Sequence, residues 1–345
     1  MLPFLHGAGV RAEIVFDPER ESEKPNLDHL SQKLISEKFD CVYFQKVHGA
    51  SVQACVQDLS KAGIATIYGV CDLVNVEMSR LVDIVLVPTA FLKSIHPIDL
   101  QGKIRVVHDG IECPEIKKQK WGDHYASRKQ PLRAVLVTSS NLKRLPILDS
   151  LPDWLSVTIV GRYPPARDRM KRLREARWAF AKMNGAKERL EYLGFLLNRR
   201  IKTEMWESKS VYTAMQDADI GIIPIEPTTN LAQGTSIPVW QTKSENRLTL
   251  KMSIGLPVIA TPIPAYEPVI ESGSNGFLAS SRSDWLRGLE TLRDPVARRD
   301  IGNAARASVI DRYSMEEQAR LFLEALQTAV YASTQKDSPR SAVVR

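Results

Sequence analysis

The 345-residue chain contains little cysteine, and its four cysteines, Cys41, Cys55, Cys71 and Cys113, have no C-x-x-C spacing. This argues against a zinc ribbon and a disulfide framework, and it favours a reducing compartment. No apolar run approaches the ~20 residues that a membrane-spanning helix needs. Residues 1–10 also lack the charge arrangement of a signal peptide. From these absences we expect a cytoplasmic protein.

Two chemical motifs are also missing. No strand is followed by G-x-G-x-x-G, which disfavours a dehydrogenase that transfers hydride to a dinucleotide. No D-x-D stands at a suitable strand end, so we expect no metal site and no cofactor. Cations of the protein itself would then have to neutralise any phosphate that binds.

The overall composition is that of an ordinary globular protein, with 43% apolar and 25% charged residues. The length is sufficient for two domains with substantial cores. The formal net charge of +7 favours anionic partners such as nucleotide sugars, acidic lipid surfaces or nucleic acid, although a basic and inert surface explains the charge equally well.

Short apolar strands alternate with amphipathic helices in two series, which predicts an α/β protein with two doubly wound parallel sheets. Strands are predicted at 12–16, 41–45, 64–70, 83–88 and 103–107, and then at 132–138, 156–161, 219–224 and 256–260. Helices are predicted at 26–39, 294–311 and 314–331. The expected organisation is a first domain over 1–115, a polar linker over 116–130, a second domain over 131–312, a terminal helix over 313–332 and a disordered tail over 333–345.

The most informative segment spans residues 244–277 and reads SENRLTLKMSIGLPVIATPIPAYEPVIESGSNGF. Asn246 and Arg247 open a predicted helix, whose free N–H groups and positive dipole end suit an anion. The segment resembles the donor-binding region of glycosyltransferases with GT-B architecture, most closely family 4. The shared residues are Gly255, Pro257, Val258, Ile259, Ala260, Glu267 and the Asn275–Gly276–Phe277 turn.

The chain departs from this family in two places. The second Glu of the family motif, which usually binds the nucleotide ribose, falls on Leu250, and the first falls on Thr242. Glu245 is close but out of register. Residues 2–10 resemble the helix that follows the family's first strand and Gly-rich turn. The resemblance therefore implies two Rossmann-like domains, with the terminal helix crossing back to the first. The expected first strand is missing either because the given start is truncated or because the N-terminal domain is reduced.

The resemblance also implies a donor site at the strand ends of the second domain. Lys143 corresponds to the family's phosphate-binding Lys, while its Arg has no counterpart. Arg162 and Arg247 are further cations at strand or helix ends, where an Arg can hold phosphate through two parallel hydrogen bonds. The full set of expected donor-binding residues is Ser139, Asn141, Lys143, Arg162, Glu226, Asn246 and Arg247. The long loop 227–243 after Glu226 is expected to border this site.

His48 and Asp72 are the candidate catalytic residues of the first domain. Both follow predicted parallel strands, whose carboxyl ends face the ligand crevice. They match the family's first-domain His and Asp positions, so the resemblance implies contact with a sugar hydroxyl or a leaving-group oxygen. The alternative is that His48 binds only backbone and that Asp72 caps the next helix.

The function implied is a glycosyltransferase of hexosyltransferase type, which moves a sugar from a nucleotide-sugar donor to a glycan, lipid-linked or small-molecule acceptor. The resemblance implies retention of anomeric configuration without a metal, and a role in glycan biosynthesis. The basic segment 167–177 suggests peripheral contact with the inner membrane face, or merely a solvated surface. A nucleotide-sugar epimerase and a non-catalytic partner of an active transferase are the alternatives. No nucleic acid is expected as a partner.

Overall fold

The computed structural model describes residues 1–17, 22–148, 150–232 and 235–337. The chain forms two compact units. Unit 1 consists of Met1–Gly110, Thr228–Ser244 and the described residues from Tyr313 onward, and unit 2 consists of Ile111–Pro227 and Glu245–Arg312. The segment 228–244 thus belongs to unit 1, although residues of unit 2 precede and follow it. The predicted linker 116–130 falls within unit 2.

Unit 1 contains a four-stranded parallel sheet in the order β1-β2-β3-β4. Its elements are α1 (Leu2–Gly7), α2 (Leu30–Ser36), β1 (Cys41–Gln45), α3 (Ala50–Lys61), β2 (Ala65–Gly69), α4 (Val76–Leu81), β3 (Ile84–Val87), α5 (Ala90–Ser94), a 3-10 helix (Ile98–Lys103), β4 (Ile104–Val106), a second 3-10 helix (Val239–Thr242) and α12 (Met315–Asp337). β2 and β3 are buried along their whole length, as expected for strands covered on both faces.

The terminal helix α12 covers one face of this sheet. Phe322, Ala325 and Ala329 pack against Ile67 and Ile84 in one apolar cluster. The Ser314 hydroxyl accepts a hydrogen bond from the Glu317 backbone N–H at 3.1 Å, which caps the start of the helix.

Unit 2 contains a six-stranded parallel sheet in the order β10-β9-β8-β5-β6-β7. Its elements are β5 (Leu132–Val137), β6 (Leu155–Gly161), α6 (Arg169–Ala181), α7 (Ala186–Leu197), β7 (Ile201–Met205), α8 (Ser208–Asp217), β8 (Ile220–Ile223), α9 (Asn246–Ile254), β9 (Val258–Ala260), β10 (Phe277–Leu278), α10 (Arg282–Thr291) and α11 (Pro295–Val309). Apolar clusters fill both faces of this sheet. Gly255 ends α9 in the left-handed region, with φ of 94°, where a glycine is unstrained.

Most predicted strands are found within a residue or two of their expected bounds, but the structure corrects several other expectations. Residues 12–16 form no strand, and they are largely exposed instead of paired. The predicted helix 26–39 shortens to α2, while β7 and the two-residue β10 were not predicted.

The tail expected to be disordered from residue 333 continues α12 as far as Asp337, because Ser333 is buried and extends the packed face of the helix. The remainder of that predicted tail, 338–345, lies outside the described residues.

Candidate functional site

The strand order of unit 2 identifies where a ligand would bind. The chain runs from β5 outward through β6 and β7, then returns to place β8 on the other side of β5. In open parallel sheets, ligands bind outside the carboxyl ends of the strands where the order reverses in this way. The residues that follow β5 and β8 therefore line the candidate site, and Ser139 and Glu226 are among them.

Two arginine contacts are formed at this end of the sheet. The Arg247 guanidinium, in the first turn of α9, donates to the Ser139 hydroxyl through Nη2 at 3.0 Å. Arg144 Nη2 donates to Glu226 Oε2 at 2.7 Å. Arg247 and Ser139 are both exposed, so the first contact is open to solvent. The structure thus brings together two of the predicted donor-binding residues and gives a third, Glu226, a cationic partner that was not predicted.

The loops after β5 and β6 approach each other closely. The Arg162 backbone N–H donates to the Ser140 carbonyl at 3.2 Å, while the Arg162 side chain is exposed. A Cβ atom on Gly161 would lie 2.5 Å from that carbonyl oxygen, so only glycine fits there. This glycine fixes the spacing of two loops that carry candidate residues.

Lys143 has different neighbours from Arg247. Its ammonium lies 5.6 Å from the Tyr192 ring centroid, in a pocket between the β5 loop, α6 and α7 that Asn141 also lines. Burial lowers the pKa of Lys143, although the Glu175 carboxylate opposes the shift. The described contacts of Lys143 are therefore with the helical layer, and they do not join it to Arg247 and Ser139.

Helix α9 carries one of the two predicted departures from the motif of the resembled family, at Leu250. Asn246 is exposed at the first helical position, and Glu245 is buried at the N-cap. Leu250 is partly buried and packs against an apolar cluster that includes Val135 and Met215. The position where the sequence resemblance predicts a ribose-binding carboxylate is thus occupied by a packing residue.

Lys251 is the most unusual ionisable group of unit 2. Its side chain is fully buried, and its ammonium donates to the Arg247 carbonyl at 3.1 Å. Burial, aided by the positive charge of Arg247, lowers the pKa of Lys251 to about 7. The same helix therefore carries one exposed cation and one buried amine that titrates near neutrality.

In unit 1, His48 lies in the loop between β1 and α3 and is almost fully buried. Its backbone N–H donates to the Glu23 carbonyl at 2.7 Å, and its Nε2 lies 3.7 Å from Glu23 Oε2. The backbone contact agrees with the structural alternative. It does not decide between that role and the catalytic one, so catalysis by His48 stays a prediction.

Asp72 follows β2 and is paired with Lys243, which comes from the segment 228–244 of unit 1. The Cys71 thiol also donates to Asp72 at 3.0 Å. Burial alone would raise the pKa of Asp72, but the contacts with Cys71 and Lys243 and the nearby charge of Lys46 lower it. Asn75, not Asp72, caps α4 through the Met78 N–H, so the capping alternative is wrong.

Sequence reasoning missed the partners Arg144, Lys243 and Glu23, as well as the buried Lys251. Arg144 directly follows the predicted Lys143, so its place in the same loop was a usable signal. Lys243 and Asp72 are 171 residues apart, and no local pattern links them. Residues 233 and 234 of the predicted site loop lie outside the described residues.

The described part of the chain contains no group of three or more His, Cys, Asp or Glu side chains placed to hold a metal ion. None of its helices is both long enough and apolar enough to cross a bilayer.

Comparisons with known proteins show which fold this is. No family model matches the chain, and neither does any curated protein sequence. Among solved structures, HepE of Anabaena in complex with UDP-glucose has a TM-score of 0.57 at 15% identity, covering 87% of this chain and 81% of HepE. A glycosyltransferase from Rickettsia africae has a TM-score of 0.62 at 13% identity, covering 95% and 87%. Sucrose-phosphate synthase of Thermosynechococcus elongatus has a TM-score of 0.55 at 14% identity, covering 92% and 81%.

These likenesses, together with the two parallel sheets, show that the chain has the GT-B fold expected from its sequence, with two Rossmann-like regions. At such low identities they establish the fold alone. A fold can host several activities, so function has to be argued from the site.

Proposed function

We propose that this protein is a glycosyltransferase that uses a nucleotide-sugar donor. The observation that carries the proposal is the Arg247–Ser139 contact at the strand-order reversal of unit 2. An exposed arginine there, in the first turn of a nine-residue helix, suits a diphosphate. The likeness of the fold to HepE, which was solved with UDP-glucose, supports a nucleotide sugar as the ligand.

In the proposed reaction the Arg247 guanidinium and the N-terminal amides of α9 stabilise the negative charge that develops on the leaving diphosphate. Such preorganised groups are the main electrostatic contribution that a protein makes to a transfer of this kind. Ser139 would hold the guanidinium in place before the donor arrives, since it accepts one of its N–H groups. The Arg144–Glu226 pair would border the same site, with the carboxylate available to sugar hydroxyls.

Three finer parts of the proposal rest on the sequence resemblance. They are retention of anomeric configuration, independence from a metal ion and the roles of His48 and Asp72. Lys143, Asn141, Arg162 and Asn246 stay candidates for donor contacts. The acceptor in this proposal is a hydroxyl compound, which is a glycan, a lipid-linked compound or a small molecule.

Calorimetric titration of the full chain with UDP, UDP-glucose, GDP and ADP tests donor binding. Arg247→Gln should weaken the binding of UDP roughly tenfold or more, because a charge-assisted hydrogen bond to phosphate contributes about 1.5–3 kcal/mol. Arg287→Gln is the matched control, since it removes an exposed arginine of unit 2 that belongs to α10. Equal affinity in the wild type and the Arg247 variant would reject the site.

The same protein then separates the alternative functions. Conversion of a nucleotide sugar without an acceptor indicates an epimerase, and failure to bind any of the nucleotides indicates a non-catalytic partner. Transfer to an added acceptor supports the proposal. An unchanged rate in EDTA is expected, and anomeric analysis of the product by NMR tests retention.

A further inference from the structure

The basic charge of this protein is concentrated in one segment of unit 2. Residues 167–200 contain eleven Lys and Arg against four Asp and Glu, a net charge of +7. This equals the net charge of the whole chain, so all other residues together are neutral. The segment forms α6 and α7, the helical hairpin that joins β6 to the edge strand β7.

The same two helices expose large apolar side chains among these charges. On α7, Leu190, Leu193 and Leu197 follow i, i+3, i+7 spacing and are 68%, 40% and 78% exposed. Tyr192 and Phe195, on the opposite face of that helix, are buried in the core of unit 2. The helix thus already buries one face, and its leucine stripe is a second apolar face that faces solvent.

The exposed face of α6 has the same character. Met170, Leu173 and Trp178 are 68%, 65% and 62% exposed, while Ala179 is buried. Arg174 and Arg177 are exposed between these apolar residues, and the Lys182 ammonium lies 3.7 Å from the Trp178 ring centroid. Apolar side chains therefore alternate with cations over two consecutive helices. We call the exposed faces of these two helices the α6–α7 surface.

Such a surface needs an explanation, because exposed clusters of large apolar residues usually mark an interaction site. A protein partner would bind the leucine stripe in an apolar groove, and such binding does not require the net charge of +7 around the stripe. A bilayer with anionic lipids satisfies both properties at once, since Leu and Trp enter the headgroup boundary and Lys and Arg remain at the phosphates. Charge complementarity thus favours a lipid surface.

We infer that the α6–α7 surface docks unit 2 peripherally onto membranes that carry anionic lipids. The apolar stripes supply insertion, and the cations supply attraction that weakens as salt screens it. This inference does not depend on the proposed donor site, because it rests on exposed side chains of α6 and α7, whereas that site rests on Arg247 and Ser139. It can fail or hold regardless of whether the protein binds UDP.

Vesicle flotation of the full chain tests the inference. Phosphatidylcholine vesicles with phosphatidylglycerol should carry the protein, and vesicles of phosphatidylcholine alone should not. Leu190→Ser with Leu197→Ser should reduce binding roughly tenfold, and Arg174→Gln with Arg177→Gln should reduce it by a similar factor and weaken its dependence on salt. Ile98→Ser is the matched apolar control, because Ile98 is 88% exposed but belongs to unit 1.

Far-UV circular dichroism and urea unfolding of each variant verify that it remains folded. Equal flotation with neutral vesicles, or an equal loss in the Ile98 variant, would overturn the inference. So would self-association of the wild type that disappears in the Leu190/Leu197 variant without any vesicle binding, since the surface would then join two copies of the chain.

Discussion

Replacing the buried Lys251 with methionine provides a direct test of the core of unit 2. The lysine has no exposed surface, and its single described hydrogen bond is to the Arg247 carbonyl one helical turn earlier. Methionine keeps most of the volume of the side chain and removes its charge. We expect Lys251→Met to raise the free energy of unfolding at pH 7, where the folded protein must otherwise hold a partly charged amine without solvent.

The size of the effect follows from the pKa. An unfolded lysine keeps its proton up to about 10.5, whereas burial lowers the pKa of Lys251 to about 7 in the folded protein. Between these values the unfolded chain binds more protons, so the free energy of unfolding of the wild type rises with pH. One proton corresponds to about 1.4 kcal/mol per pH unit, so the advantage of the methionine variant should shrink by roughly 2 kcal/mol between pH 7 and pH 9.

Urea unfolding followed by tryptophan fluorescence is the appropriate assay. Five of the six tryptophans belong to unit 2, and Trp240→Phe removes the sixth, so the signal then reports this unit alone. Other titrating groups are common to both proteins and cancel in the difference. Lys209→Met, at an exposed position of α8, is the matched control and should give no pH-dependent difference. A constant offset between wild type and Lys251→Met across this pH range would refute the reasoning.

Three further perturbations have defined outcomes. Gly221→Ala should cost roughly 1–3 kcal/mol, because its Cβ would lie 2.8 Å from the Lys251 Cδ; a double-mutant cycle with Lys251→Ala should recover part of that cost. Asp219→Asn should cost roughly 3 kcal/mol in urea unfolding at neutral pH, because the buried carboxylate accepts three hydrogen bonds from Arg133. Burial would raise the pKa of Asp219, but Arg133 lowers it below its ordinary value of 3.8. The difference in unfolding free energy between wild type and Asp219→Asn should therefore fade as the pH falls through and below 3.8, where the carboxylate gains a proton. A difference that persists at lower pH would contradict this reasoning. Lys243→Met should raise the pKa of Asp72, measured by carboxyl ¹³C NMR. The substitution removes the lysine charge that lowers this pKa, while burial, which raises it, remains.

The fold could be predicted because buried parallel strands leave a strong local signal. β3 and β8 are continuous apolar runs bounded by polar or turn residues, so each is recognisable without knowledge of its neighbours. β7 was missed because it is an edge strand of mixed polarity in which no residue is fully buried. Residues 12–16 were mistaken for a strand for the opposite reason, since they include the apolar run Ile14–Val15–Phe16 but have no partner strand in the described structure.

The candidate site was predictable only where the rule of parallel sheets applies. Ser139 and Arg247 are 108 residues apart, yet both stand at ends of elements that a parallel sheet brings to one edge. No such rule could place Lys243 beside Asp72, because the segment 228–244 leaves unit 2 and joins unit 1 before the chain returns. The helical environment of Lys143 was also unpredictable, since it depends on how α6 and α7 pack over the β5 loop.

Helix α9 links the departure from the family motif to the expected binding behaviour. Over residues 246–254 it contains Arg247 and Lys251 and no acidic residue, and the Leu250 side chain packs against the apolar core of unit 2. If the proposed donor site is correct, this helix can attract phosphate through Arg247 and its amides, but it offers no carboxylate to ribose hydroxyls. Binding would then depend more on the diphosphate, whose contacts are screened by salt, than on the rest of the nucleotide. Discrimination between donors would then have to come from residues outside α9.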